Sequence, residues 1–174
     1  MPTVFDVANY FLARNDPSEG DRITPLKLQK LVYYAQGYAL ALLGRPLFEE
    51  SISAWRLGPV CSELYRHFKS FGNQPIDKVF GAAEEAHEAL REAQKPFARE
   101  EVNFLNDIFA CYGGYTAITL SHKAHETPPW KEAPHNSVIS HEAMKRYFEE
   151  SLADVKVEIL PLTIEEADRI AAMC

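Results

Sequence analysis

The sequence predicts a mainly α protein: a compact helical domain around a central buried helix at about residues 24–43, with one or two short β elements at about 51–56 and 155–160. Three observations predict it. The segment from Thr24 repeats large apolar residues at helical spacing for longer than any other. Shorter segments with the same period lie between proline and glycine breaks. Strand patterning is confined to two short stretches, Ser51 to Arg56 and the alternating Val155, Val157 and Ile159.

Each element has local reasons. Thr3 and Asp6 form a Thr-x-x-Asp start that can satisfy free amides of a first turn, and Val4, Ala8, Phe11 and Leu12 make one stripe behind it. Asn15 to Gly20 is a loop by its turn chemistry. Thr24-Pro25 then supplies a capping hydroxyl and a proline where no amide is needed. Leu28, Leu31, Val32, Ala35, Ala39, Leu42 and Leu43 follow on one face. Tyr33, Tyr34, Tyr38 and Leu40 lie off it, so the helix is apolar over much of its circumference, as a helix covered on several sides must be. Gly44 ends it.

Gly58-Pro59 reads as the start of a helix with Val60, Leu64, Phe68 and Phe71 inward, closed by Gly72 to Pro75. Ala82 to Lys95 holds good helix formers around a single large apolar residue, Leu90, and reads as a solvated helix. After Pro96 comes a helix carrying Val102, Leu105, Ile108, Phe109 and Tyr112, broken by Gly113-Gly114. The next has a narrow face of Ala117, Leu120, Ser121 and Ala124, whose small side chains let a neighbouring backbone approach closely. Pro128-Pro129-Trp130 ends it. Ser140 caps a further helix with Met144, Phe148 and Leu152 inward. The alternation at 155–159 predicts a strand, and Thr163 with Glu166 predicts a last capped helix over Ile164, Ala167, Ile170 and Ala171. Residues 1–152 thus form one helical domain, with 153–174 a strand-helix extension packed on it.

Composition narrows the function classes. At 174 residues, 47% apolar and 25% charged, the chain suits one soluble domain with a real core. A net charge of −7 repels phosphate backbones, so no direct nucleic-acid partner is expected. Cys61, Cys111 and Cys174 are odd in number and share no CxxC spacing, which points to a reducing compartment. Residues 1–6 carry no basic leader, and Tyr33 to Leu43 is too short to span a bilayer. The expectation is a cytoplasmic protein with no membrane partner.

Candidate chemistry is sparse. His122 and His125 stand three apart near Glu126, on one side of a helix, but no third metal ligand follows at recognisable spacing. They read as polar surface or capping groups. Cys61 and Cys111 read as small core residues rather than nucleophiles, and Ser121-His122 has no oxyanion-hole motif beside it. Arg22, Lys27 and Lys30 read as the solvated flank of a buried helix rather than a phosphate site. No phosphate-cradling glycine loop or HExxH occurs. No catalytic residue, cofactor or metal is expected. Trp55 and Trp130 sit at rigid turns, where an indole anchors a core or, less often, forms an interface hot spot.

The landmarks Ile23 to Gly37 (ITPLKLQKLVYYAQG), Ile52 to Val60 (ISAWRLGPV) with Leu64-Tyr65, then Leu120-Ser121, His125, Pro129-Trp130, Met144 and Tyr147-Phe148 resemble the Panacea domain. That antitoxin family includes SocA-like and GepA-like phage-associated proteins, and the resemblance covers about residues 5–150. It departs at Ala124, where such domains often have threonine, and at the added Pro128. The resemblance implies the antitoxin of a type II-like toxin–antitoxin pair, neutralising its cognate toxin by direct protein–protein binding. The toxin would be encoded in the adjacent gene. In the SocA-like branch the antitoxin is a proteolytic adaptor that hands its toxin to an ATP-dependent protease; a Cys/His-dependent hydrolase or metalloprotein is the other alternative. Gln29, Tyr33, Gln36 and Leu40 share a second face of the central helix and, with Trp55, are the candidates for a partly exposed partner-binding groove.

Overall fold

The computed structural model describes residues 1–15, 22–76 and 83–159. Its elements run α1 (Val4–Arg14), α2 (Pro25–Leu42), β1 (Ile52–Trp55), β2 (Gly58–Cys61), α3 (Ser62–Phe68), a 3-10 turn (Lys69–Phe71), α4 (Ala83–Gln94), α5 (Arg99–Tyr112), α6 (Ala117–Glu126), α7 (Pro128–Glu132) and α8 (His141–Ile159). The fold is mainly α with one two-stranded antiparallel sheet among the described residues.

Helix starts follow the sequence closely because caps are local. The Thr3 hydroxyl accepts from the Asp6 amide while the Asp6 carboxylate accepts from the Thr3 amide, a reciprocal cap. Thr24 accepts from the Lys27 amide ahead of Pro25. Ser140 accepts from the Ala143 amide at the head of α8.

Helix α2 is the hub. Every residue from Lys27 to Gly37 is buried, beneath α1, β2, α5, α6 and α8. The apolar stripe holds through Ala39, while Leu42 is exposed as the helix leaves the core. Helix α8 packs against α2 at Gly37, where an added Cβ would lie 2.0 Å from the Phe148 ring. Only a residue without a side chain lets that ring seat, and it then meets Tyr33, Tyr34 and Tyr38 edge-on. Helix α4 is real and largely exposed, resting on α1.

Two glutamines of α2 substitute for strand partners. The Gln29 amide donates to the Cys61 carbonyl (3.2 Å) and accepts from the Cys61 amide (2.9 Å). The Gln36 amide donates to the Phe48 carbonyl (2.9 Å) and accepts from the Leu47 amide (2.9 Å). Each buried side chain satisfies backbone that no sheet or helix completes.

Several expectations are corrected. Gly58-Pro59 does not start a helix: residues 58–61 form β2, paired with β1 in the register Ile52↔Cys61 to Trp55↔Gly58, and α3 begins at Ser62. Proline and glycine suit a helix start equally well, and only the distant β1 decides between them. Phe71, expected inward, is exposed. Val155 to Ile159 continue α8 instead of forming a strand. Val155 and Ile159 also stand four apart, so the same residues satisfy a helical period. The strand position 160 and the Thr163–Ala171 helix lie outside the described residues.

Candidate functional site

The hairpin between β1 and β2 turns at Arg56-Leu57, and its backbone is held from beneath by side chains from three helices. The Trp130 indole of α7 donates to the Trp55 carbonyl (2.9 Å). His125 Nε2 of α6 lies 3.2 Å from the Arg56 carbonyl, which can only accept, so Nε2 carries the proton. The Ser121 hydroxyl donates to the Leu57 carbonyl (3.2 Å), and Lys30 Nζ donates to the Pro59 carbonyl (3.0 Å). Adding the Gln29 bridge to Cys61, nearly every step of the turn is pinned. The narrow face of α6 therefore does what its small residues imply: it lets this backbone come close.

Local geometry explains the residue types. Gly58 has φ +99°, and a Cβ there would lie 2.7 Å from Lys30 Nζ. Glycine thus admits both the turn and the lysine. The His125 ring packs on Trp130, with centroids 4.3 Å apart, which orients both donors. Trp55 rests edge-on against Tyr65 of α3 at 5.0 Å.

Burial shifts titratable groups in and beside the brace. Burial pushes the Lys30 ammonium down to about 7, the lost hydration of its charge outweighing its bond to the Pro59 carbonyl. Burial also lowers His125, with the Arg56 carbonyl opposing and the Lys30 and His122 charges adding to the effect. Burial raises the Cys61 thiol to about 11, leaving it protonated at neutral pH and a poor nucleophile.

The outer side of the same turn is different. Trp55, Arg56, Leu57 and Val60 of the hairpin line an open groove of about 730 Å3 together with Pro25, Leu26 and Gln29 of α2, Tyr65 of α3, and Ala117 and Ile118 of α6. Leu57 (60%), Ile118 (68%) and Tyr65 (44%) stand exposed along it. Among the described residues Arg56 is the one charged side chain lining it, and no carboxylate does.

The structure separates the five sequence candidates. Gln29, Tyr33, Gln36 and Leu40 are buried, so they do not make the partly exposed face expected of them. Their helix is covered on that side too: the Tyr33 hydroxyl pairs with Thr127 (2.9 Å), itself donating to the Ala124 carbonyl. Gln29 reaches the groove floor, and half-buried Trp55 forms part of its wall. Lys27 and Lys30 are no solvated flank either. Both are buried, with Lys27 Nζ 2.6 Å from the Gly113 carbonyl. Their covers come from residues remote in sequence, which periodicity within α2 cannot reveal. Cys61 is core as expected, whereas Cys111 is exposed. His122 is exposed and His125 is turned onto the hairpin. Among the described residues no three ligand-type side chains converge on one point. Nor is any described helix long and apolar enough to cross a membrane. Sequence reasoning missed the brace, Leu57, Tyr65 and Ile118; the signal for the brace was the run of Lys30, Gly58-Pro59, Ser121, His125 and Trp130 within the quoted landmarks.

Comparison with known proteins agrees with that pattern. The chain is 46% identical over 54 residues to antitoxin SocA of Caulobacter vibrioides (strain NA1000 / CB15N), a match covering 31% of this chain and 29% of that protein. The chain therefore spans less than a third of the length of the curated relative it matches. No solved structure matches it. The family model described as "Antitoxin SocA-like, Panacea domain" matches residues 28–131, from within α2 through α7, and so contains every donor of the brace. More than half of the chain is matched, and the protein belongs to the SocA-like antitoxin family with the Panacea domain.

Proposed function

We propose that this chain is the antitoxin of a toxin–antitoxin pair, acting without catalytic residues by binding a protein toxin directly. The observation that carries the reading is where the family match falls: its distinctive polar residues are spent on bracing the hairpin. The donors nearest the turn are committed to carbonyls, and the nearby thiol stays protonated. Such a scaffold has little freedom to lose on association, which favours tight binding. Trp55, at the junction of brace and groove, is the sequence candidate best placed to touch the partner.

The partner would be the product of the neighbouring reading frame, in the same cytoplasmic compartment. Expressing that product alone should arrest growth, and co-expression with this chain should restore it. The two should co-purify as a complex. A toxin half-life unchanged by the antitoxin supports sequestration; a shortened one supports delivery to an ATP-dependent protease. Growth arrest unrelieved by co-expression, with both proteins soluble and no complex, would overturn the antitoxin reading.

A further inference from the structure

We infer that the groove on the outer side of the hairpin turn is the docking site for an apolar helix of the toxin, edged by a carboxylate that pairs with Arg56. The inference rests on the antitoxin reading and adds the surface and the chemistry of what it binds.

Leu57 and Ile118 are among the most exposed large apolar side chains of the described residues, and with Tyr65 they line the same groove. Isolated exposed leucines are ordinary, but three large apolar groups around one concave surface mark an interaction site. In the turn that carries Leu57, the carbonyls of Trp55, Arg56 and Leu57 are each bonded by a side chain, so Leu57 is presented from a held backbone. Tyr65 and Arg56 beside it are of the residue types enriched in interface hot spots.

The occupant's chemistry follows from what the groove offers and withholds. Strand addition is closed: Pro59 has no amide, its carbonyl is taken by Lys30, and both backbone groups of Cys61 are taken by Gln29. Recognition must then use side chains, and a groove walled by α2, α3 and α6 suits the apolar ridge of a helix. Arg56 is exposed and forms no ion pair among the described residues, although the chain has seven more acidic than basic residues. With no carboxylate among the described residues that line the groove, that guanidinium calls for an anionic group on the incoming partner.

The test uses the full chain and the purified product of the neighbouring reading frame in titration calorimetry, with growth rescue in parallel. Leu57→Asp and Ile118→Asp should each weaken binding about 30-fold or more and abolish rescue, with unchanged melting temperature. Arg56→Glu should weaken it about 10-fold at low salt and less at high salt. Reversing one acidic residue of the toxin to arginine should recover the loss. Leu42→Asp, exposed on α2 but outside the groove, should bind as the parent does. Parental affinity in both Leu57→Asp and Ile118→Asp, while the unaltered chain binds and rescues, overturns the groove and leaves the antitoxin reading standing. Failure of the unaltered chain to bind overturns that reading instead. A homodimer by light scattering that Ile118→Asp dissociates would assign the groove to a second copy and overturn the inference.

Discussion

The two sides of one hairpin turn are built from opposite materials. Beneath Trp55 to Pro59, four donors from α2, α6 and α7 meet four carbonyls in a polar layer that is buried at Lys30 and opens toward His125. Above it, the same residues present Leu57 and Arg56 to solvent beside Ile118 and Tyr65. A polar layer fixes position because each unmade hydrogen bond in a dry site costs a full desolvation penalty. An apolar open surface fixes nothing by itself and is free to vary with the partner. The difference separates a part that holds shape from a part that meets something else, and substitutions on each side should fall into different classes.

The largest effect should come from removing the brace at its bulkiest member. Trp130→Ala loses the bond to the Trp55 carbonyl, the contact with His125 and its packing on the core. We expect a loss of about 3 kcal/mol in urea unfolding. A loss below about 1 kcal/mol would show that the turn is held without it.

The buried lysine gives the next effect, and its signature is pH. The Lys30 pKa falls from 10.5 in the unfolded chain to about 7 in the folded one. The folded state therefore disfavours the proton that the unfolded state keeps. This penalty is full below pH 7, shrinks as pH rises through the window between the two values, and vanishes above it. From pH 7 to pH 9 this one group should raise unfolding free energy by about 2 kcal/mol. Lys30→Met loses the bond to Pro59, so its absolute stability will change, but its profile should lack that rise. Equal slopes for parent and variant would mean that Lys30 titrates as a solvated amine.

How much of this was legible in the sequence divides along the same line. Helix starts at Thr3, Thr24 and Ser140 were readable because a cap is settled within four residues. The burial of α2 was readable because its apolar residues surround it. The brace was not, since Lys30 and Pro59, or Ser121 and Leu57, meet only after distant segments fold together. Gln29 and Gln36 looked like exposed polar positions on a second face because nothing local announces that their amides replace strand partners. Leu57 and Ile118 were unremarkable as single residues, 61 positions apart; their meaning comes from lining one groove.

Gly58 tests where the two sides join. Gly58→Ala forces a side chain onto φ +99° and places its Cβ 2.7 Å from Lys30 Nζ. The lysine terminus can swing away, but only by abandoning the Pro59 carbonyl in a buried site. The expected cost is about 2 kcal/mol, from backbone strain and the lost bond together. In a Gly58→Ala/Lys30→Met pair, the added side chain no longer opposes the ammonium, so the two losses should sum to more than the pair shows. Strict additivity would mean that the turn tolerates the added side chain without touching the lysine.

The smallest effect on stability should be at the outer face. Leu57→Ser and Ile118→Ser remove apolar groups that already stand mostly in water, leaving no cavity and no unpaired donor. Each should change unfolding free energy by less than about 0.5 kcal/mol. Leu57 carries the sharper test, because its carbonyl belongs to the brace while its side chain belongs to the groove. If Leu57→Ser destabilised the fold as Trp130→Ala does, side chain and backbone would be serving one purpose, and the contrast between the two faces would fail at the residue they share.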